Sequence, residues 1–181
     1  IKASRFTGRK GQFLEIVAPA SIEIDRILLA GTGKEKEFGE VQQQALGGGV
    51  VGRLGKSGSK EATVVVDAVA TDAVRAAANI ALGARLASYR FDKYKSKKDD
   101  DEDNGQPTLK SVTLAVEDSA KAKKAYAPMD RVADGVFFTR DLVSEPGNVI
   151  YPETLAREAK TLQKLGVEIE ILDEKAMRKL G

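Results

Sequence analysis

The sequence contains neither cysteine nor histidine among its 181 residues. The absence of cysteine excludes disulfides, thiol nucleophiles and zinc sites with cysteine ligands, and it fits a reducing compartment. The absence of histidine excludes a Ser-His-Asp triad and histidine-ligated metal centres. Any metal site in this chain would therefore use carboxylates, lysine or carbonyl oxygens alone.

Strong charge of one sign and long apolar runs are also missing. The 29 basic and 27 acidic residues leave a net charge of +2, which is too balanced to indicate a nucleic-acid or membrane-surface partner. No apolar stretch approaches the roughly 20 residues that span a bilayer. The content of 42 % hydrophobic residues is typical of a globular fold. Because the first residue is Ile1 rather than Met, we expect the start of the chain to have been trimmed or processed.

Apolar patterning predicts an α/β fold. Apolar runs predict strands at 13–17, 27–30 and 62–66, and alternation predicts another over 109–116. We expect these strands to form a mixed sheet flanked by helices. Since the run at 62–66 is apolar and β-branched, its strand is expected to be buried on both faces.

The predicted helices differ in how clearly they begin and end. Residues 35–56 contain three consecutive glycines, which lower helix propensity by roughly 2–3 kcal/mol, so a helix there requires close backbone packing. Asp72 is expected to cap a helix running to Tyr89. Ser119 is expected to cap a short helix that ends near residue 127. Pro128 is then expected to occupy the first turn of a new helix, where its missing N–H is tolerated.

The last thirty residues predict a helix, a strand and a second helix. Pro152 opens the first helix and Gly166 ends it. Residues 167–171 alternate as a half-buried strand, and Asp173 caps a helix whose Met177 and Leu180 are expected to face inward. One strand leaves its backbone groups unpaired, so we expect the chain to stop inside a second domain.

Two glycine-containing turns are candidates for a phosphate-binding site. Gly31-Thr32-Gly33-Lys34 follows a strand, but a dinucleotide fingerprint requires glycine where Lys36 stands. Gly55-Lys56-Ser57 ends like a P-loop, but Val50 replaces the first glycine of that motif. Plain turns are the favoured interpretation of both.

Three groups of charged residues are further candidates for a binding or catalytic site. The acidic run Asp99 to Glu102 lacks the spacing of a calcium loop and is interpreted as a solvated loop. The second group is a basic and aromatic stretch that comprises Tyr89, Phe91, Tyr94, Lys95, Lys97 and Lys98. The acids that follow it cancel its positive field, which disfavours nucleic-acid binding. The third group comprises Asp134, Asp141, Glu145 and Asn148, and helix capping and surface ion pairing are favoured for it over acid–base chemistry.

Several separated segments resemble the leucyl aminopeptidases, also called cytosol aminopeptidases. Segment 139–153 (TRDLVSEPGNVIYPE) resembles the entrance to their catalytic domain, and the likeness continues through 155–181. Upstream support comes from 88–98 (SYRFDKYKSKK) and 6–16 (FTGRKGQFLEI). Ser144 and Gly147 stand where the family usually has Asn and Ala, which are small changes. The family's motif N-T-D-A-E-G-R does not occur, so we assign no catalytic, cofactor-binding or metal-binding residue.

The resemblance implies a metallo-exopeptidase. Family members combine an N-terminal domain similar to macro domains, a connecting helix and a dinuclear catalytic domain. Two divalent cations, Zn²⁺ or Mn²⁺, activate a water that attacks the first peptide bond. The resemblance further implies a cytoplasmic hexamer. Mapped onto this sequence, residues 1–127 are the truncated N-terminal domain, 128–143 the connecting helix and 144–181 the incomplete start of the catalytic domain.

On this interpretation, the segment serves oligomerisation and access, is inactive alone and binds no cation itself. Two alternatives remain open at this point. One is a macro-like module that binds a nucleotide or ADP-ribose, and the other is an accessory DNA-binding domain. Residues 144–181 favour the aminopeptidase, because a self-contained binding module has no use for half of a second domain.

Overall fold

The computed structural model describes residues 4–66, 72–95 and 106–181. They fold as an α/β protein, as predicted, and divide into two compact units, Ile1–Phe137 and Phe138–Gly181. No helix in these ranges is long and apolar enough to cross a membrane. The strands are β1 (Phe13–Val17), β2 (Arg26–Ala30), β3 (Glu61–Val65) and β4 (Ser111–Ala115), and the helices are α1 (Glu40–Leu54), α2 (Ala73–Ala87), α3 (Ser119–Ser144), α4 (Pro152–Ala159) and α5 (Glu174–Leu180).

The strands of the first unit pair in both directions. β1 and β2 form an antiparallel pair in which Phe13 lies opposite Ala30. β3 and β4 run parallel, with Val64 opposite Leu114, and helix α2 lies between them in the chain, as a parallel crossover requires. The predicted mixture of strand directions is therefore present. Within the described ranges, however, it is divided between two two-stranded sheets.

The prediction that the strand near 62–66 is buried on both faces was wrong. Exposure alternates along β3, and Val65 keeps 63 % of its surface in contact with solvent. Val64 packs against a core that contains Val66 and Ile80. The physical reason is that a core cluster drawn largely from α2 covers one face of the sheet, while the described residues leave the other face open.

Helices α1 and α2 pack with their backbones in close approach, as the glycine-rich sequence of α1 requires. A Cβ atom added at Gly47 would lie 2.0 Å from the carbonyl oxygen of Ile80. One added at Gly83 would lie 1.9 Å from the carbonyl oxygen of Gln44. Only glycine fits at these two positions, so the close contact between the helices offsets the low helix propensity of the glycine run.

A buried amide network joins the same two helices. The fully buried Asn79 donates its Nδ2 to Oε1 of Gln43 at 2.8 Å and accepts from Nε2 of Gln44 at 3.3 Å. Gln43 in turn donates to the carbonyl of Phe38 at 3.0 Å, just before α1. Three amide side chains thus satisfy one another in an otherwise apolar contact, as buried polar groups must.

Replacing Asn79 by leucine is expected to lower the free energy of unfolding by about 1–3 kcal/mol. The substitution keeps the number and branching of the side-chain heavy atoms but removes the donor to the buried Oε1 of Gln43, and an unsatisfied buried group costs about this much. Urea denaturation measures the change. Asn148→Leu is the matched control, because Asn148 is exposed and should shift stability by less than about 0.5 kcal/mol. Equal effects of the two variants would contradict the role of the network.

Helix α3 corrects two predictions. It runs unbroken from Ser119 to Ser144 with Pro128 in its interior, so the predicted helix boundary at Pro128 was wrong. Proline inside a helix costs about 3 kcal/mol, and the helix is held on both sides of it by the buried Ala122 and Ala133. The cap is Asp118 rather than Ser119, because the Asp118 carboxylate accepts from the Lys121 backbone N–H at 3.0 Å.

In the second unit, the predicted helix starts are confirmed, and the stop at Gly166 is confirmed in part, because α4 itself ends at Ala159 and a 3₁₀ stretch, Lys160–Leu165, continues to Gly166. Pro152 lies in the first turn of α4, and Thr154 Oγ1 accepts the N–H of Tyr151 at 2.9 Å. Gly166, at φ 84°, ends the 3₁₀ turn that follows α4. The carboxylate of Asp173 accepts the N–H of Ala176 at 2.7 Å and caps α5.

Two predictions about the same unit were wrong. Residues 167–171 form no strand, because a strand requires a partner's N–H and C=O groups and no described segment supplies them. Met177 and Leu180 do not face inward; they are 53 % and 74 % exposed. Within the part of the chain that the structure describes, the apolar faces of these elements pack against little.

Candidate functional site

The turn Gly31–Lys34 is closed against the preceding loop. The N–H of Gly31 donates to Gln12 and that of Gly33 to Gly8, at 2.8 and 3.0 Å. A Cβ atom at Gly31 would lie 2.1 Å from the carbonyl oxygen of Arg9. These glycines therefore allow close packing of two loops and direct their N–H groups at protein carbonyls, so neither of these two N–H groups is available to a phosphate.

The turn Gly55–Ser57 follows a helix, whereas a P-loop follows a strand and precedes a helix. Gly55 caps the end of α1, and the Ser57 hydroxyl donates to the carbonyl of Leu54 at 2.9 Å. The carbonyl of Gly55 accepts from the N–H of Thr108 at 2.7 Å. The first hydrogen bond closes the turn at the end of α1 and the second joins this turn to the segment before β4, which supports a structural turn.

The basic and aromatic stretch is partly described. The rings of Phe91 and Tyr94 lie 5.8 Å apart, and the ammonium of Lys93 lies 5.5 Å from the Tyr94 ring. Hydrogen bonds from Arg90 and then from Lys95 hold the pKa of Asp92 below its usual value. The aromatic rings therefore contact one another and a local cation. Lys97, Lys98 and the acidic run Asp99 to Glu102 lie outside the described residues.

The predicted group of carboxylates does not act as a pair. Asp134 belongs to the first unit, where it accepts from Arg85 at 2.6 Å and from Arg131 at 3.2 Å. Asp141, Glu145 and Asn148 belong to the second unit. A carboxylate that accepts hydrogen bonds from two guanidinium groups is engaged in ion pairing.

Sequence reasoning missed the partner of this carboxylate, Arg85. Its guanidinium also donates to Asp130 and lies 5.6 Å from the centre of the Phe137 ring. Burial raises the pKa of the neighbouring Tyr126, with the charge of Arg85 opposing that shift and Asp134 adding to it. Two sequence signals could have indicated this contact. Arg85 occupies a position in the apolar spacing of α2, and Asp130 and Asp134 are four residues apart in α3.

The second unit contains an open cleft of about 430 Å³ beside α4. Its walls include the carboxylates of Glu153 and Asp173. Arg157 donates to the Glu153 carboxylate at 3.2 Å, and the Asp173 carboxylate caps α5. Ile171 and Leu172 supply apolar surface. Both acids are therefore engaged in local structure, and the cleft contains no acid–base pair.

The dinuclear cation centre that the resemblance implies does not fit the described residues. Such a centre requires several clustered oxygen or nitrogen ligands. Across residues 4–66, 72–95 and 106–181, no group of three or more His, Cys, Asp or Glu side chains is placed to hold a metal ion.

Comparison with known proteins agrees with the fold. The structure overlays a tomato leucine aminopeptidase variant with a TM-score of 0.78 at 23 % identity, over 99 % of this chain and 35 % of that one. It overlays the bottromycin maturation enzyme BotP, in complex with Mn, with a TM-score of 0.76 at 21 % identity, over 99 % and 36 %. The fold is therefore that of one part of an aminopeptidase.

Sequence similarity defines the family. Residues 1–98 match the description "Cytosol aminopeptidase family, N-terminal domain". The chain is 47 % identical over 179 residues to a probable cytosol aminopeptidase of Rhodopseudomonas palustris, covering 98 % of this chain, and 44 % identical over 180 residues to one of a Bradyrhizobium strain, covering 99 %. The chain belongs to the cytosol aminopeptidase family. It spans 35 % of the length of these two relatives.

Proposed function

We propose that this chain is the N-terminal part of a leucyl aminopeptidase, which releases N-terminal amino acids from peptides and uses two divalent cations, Zn²⁺ or Mn²⁺. The observation that carries the proposal is the 47 % identity to a probable cytosol aminopeptidase, which extends over 179 residues and so through both units. Further support comes from the fold shared with a leucine aminopeptidase and from the Mn named with BotP.

Within this enzyme, we propose that residues 1–127 form a macro-like domain that serves oligomerisation and access. Residues 128–143, which lie within α3, are proposed to connect the two domains, and 144–181 to begin the catalytic domain. The cations and catalytic groups belong to the rest of the enzyme. The absence of a carboxylate cluster from the described residues supports this division of labour. The parent enzyme is proposed to be a cytoplasmic homo-hexamer.

The test compares three polypeptides: the 181-residue chain, the remaining part of the Rhodopseudomonas palustris relative, and a fusion of the two. Release of leucine from leucinamide is measured with added Mn²⁺ or Zn²⁺, and assembly by analytical ultracentrifugation. We expect the fusion to assemble as a hexamer and to lose activity when the metal is chelated. The 181-residue chain alone is expected to release no leucine above buffer, because its described residues include no cluster of side chains that could hold the cations.

Leucine release by the chain alone would contradict the proposed absence of an active site. If the remaining part alone matched the fusion in both assembly and activity, the proposed role in oligomerisation would fail. Titration of the chain with ADP-ribose tests the macro-like binding module, which predicts measurable heat where the aminopeptidase proposal predicts none.

A further inference from the structure

Helix α3 is long but little of it is buried. Of its 26 residues, only Ala122 and Ala133 are fully covered, and Val132 is 61 % exposed. An element with few buried apolar contacts opens more easily than the core around it. The position of residues 126–137 of α3 is therefore expected to be sensitive to the contacts that α2 makes with them.

One polar attachment comes from the end of α2. The Arg85 guanidinium donates through one nitrogen to Asp130 and through another to Asp134, the latter at 2.6 Å. These aspartates are four residues apart and so lie on one face of α3. Arg85 and Asp130 keep only 29 % and 30 % of their side-chain surface exposed. A forked donor between two carboxylates fixes both the distance and the rotation of a helix.

An aromatic pair extends this attachment by one turn. The guanidinium carbon of Arg85 lies 5.6 Å from the centre of the Phe137 ring. The Tyr89 ring, just after α2, lies 5.2 Å from that of Phe137 at an angle of 55°. The ion pairs of Arg85 and the aromatic contact of Tyr89 thus hold α3 over two consecutive turns, from Asp130 to Phe137.

We propose that Arg85 is a positioning residue for α3: its fork to Asp130 and Asp134, with the Tyr89–Phe137 ring pair, forms a latch whose opening releases residues 126–137 of α3, while α1, α2 and the β3–β4 sheet stay folded. The functional meaning of this latch rests on the proposed function. In an aminopeptidase, it would hold the helix that leads to the segment resembling the catalytic entrance.

Hydrogen exchange of the 181-residue chain tests the latch without any assay of activity. In Arg85→Met, amide exchange over residues 126–137 is expected to rise at least tenfold, because methionine keeps the apolar stem and loses both ion pairs. Exchange in α1 and the middle of α2 is expected to change less than twofold. Arg85→Lys, which reaches one carboxylate at a time, is expected to restore part of the protection.

Arg75→Met is the matched control. Arg75 lies on the same helix and pairs with Glu40, but it has no second carboxylate or aromatic ring among its partners on the described residues. This variant should leave exchange over 126–137 unchanged within twofold. The proposal is overturned if the two methionine variants behave alike, or if Arg85→Met raises exchange equally in α1, α2 and α3. Failure of the aminopeptidase proposal would leave this result unaffected.

Discussion

Replacing Gly83 by alanine is expected to lower the free energy of unfolding by about 3 kcal/mol, near the upper end of the cost of overpacking. The added Cβ would lie 1.9 Å from the carbonyl oxygen of Gln44 and 2.6 Å from its carbonyl carbon. Backbone atoms of a neighbouring helix cannot rotate away as a side chain can. The better helix propensity of alanine offsets only about 1 kcal/mol of this loss in the free energy of unfolding. Gly47→Ala is expected to behave in the same way, because its Cβ would meet the Ile80 carbonyl.

Gly52→Ala provides the control within α1. No heavy atom lies within 4 Å of a Cβ built at Gly52, so alanine there is expected to raise stability by about 0.5–1 kcal/mol. Urea denaturation of the three variants measures the differences. If Gly83→Ala and Gly52→Ala changed stability in the same direction by similar amounts, the close approach of α1 and α2 would be wrong. A loss of 3 kcal/mol is a large fraction of the stability of a small domain.

Ile80→Ala is expected to destabilise the chain by about 2–5 kcal/mol. Ile80 has no exposed surface and packs in the cluster formed with Val66, Ala76, Ala77 and Ala122. The variant loses the transfer free energy of the buried methyl groups and leaves a cavity. The small alanines around it cannot extend to fill the space, so relaxation is limited. Thermal or urea unfolding monitored by circular dichroism measures the effect.

Ile22→Ala makes the same chemical change at a position that is 54 % exposed. It is expected to shift stability by about 0.5 kcal/mol or less. A cost at Ile80 no greater than that at Ile22 would mean that the core does not lie between α2 and the β3–β4 sheet.

The local elements could largely be predicted from the sequence because their signals are local. Asp72 and Asp173 cap their helices by side-chain hydrogen bonds to residues three positions later. Gly166 adopts the left-handed conformation that glycine alone adopts at no steric cost. Asp118 was missed in favour of Ser119, because two adjacent residues can each cap and periodicity does not choose between them.

The candidate site could be predicted only in part. The glycine turns were interpreted correctly as structural, since their motifs lacked required positions. The fork of Arg85 between Asp130 and Asp134 could not be predicted, because its partners lie 45 and 49 residues away. The amide network around Asn79 was missed for the same reason, as its partners lie more than 30 residues upstream.

By itself, the sequence determined which chemistry this chain lacks, where most helices begin and end, and its resemblance to the aminopeptidases, since composition, caps and local motifs depend on neighbouring residues. Only the tertiary structure decided that Pro128 lies inside a continuous helix, that β3 is covered on one face, and that residues 167–171 form no strand. Each of these depends on which surfaces meet across the fold, and the free energy of such contacts overrides local preference.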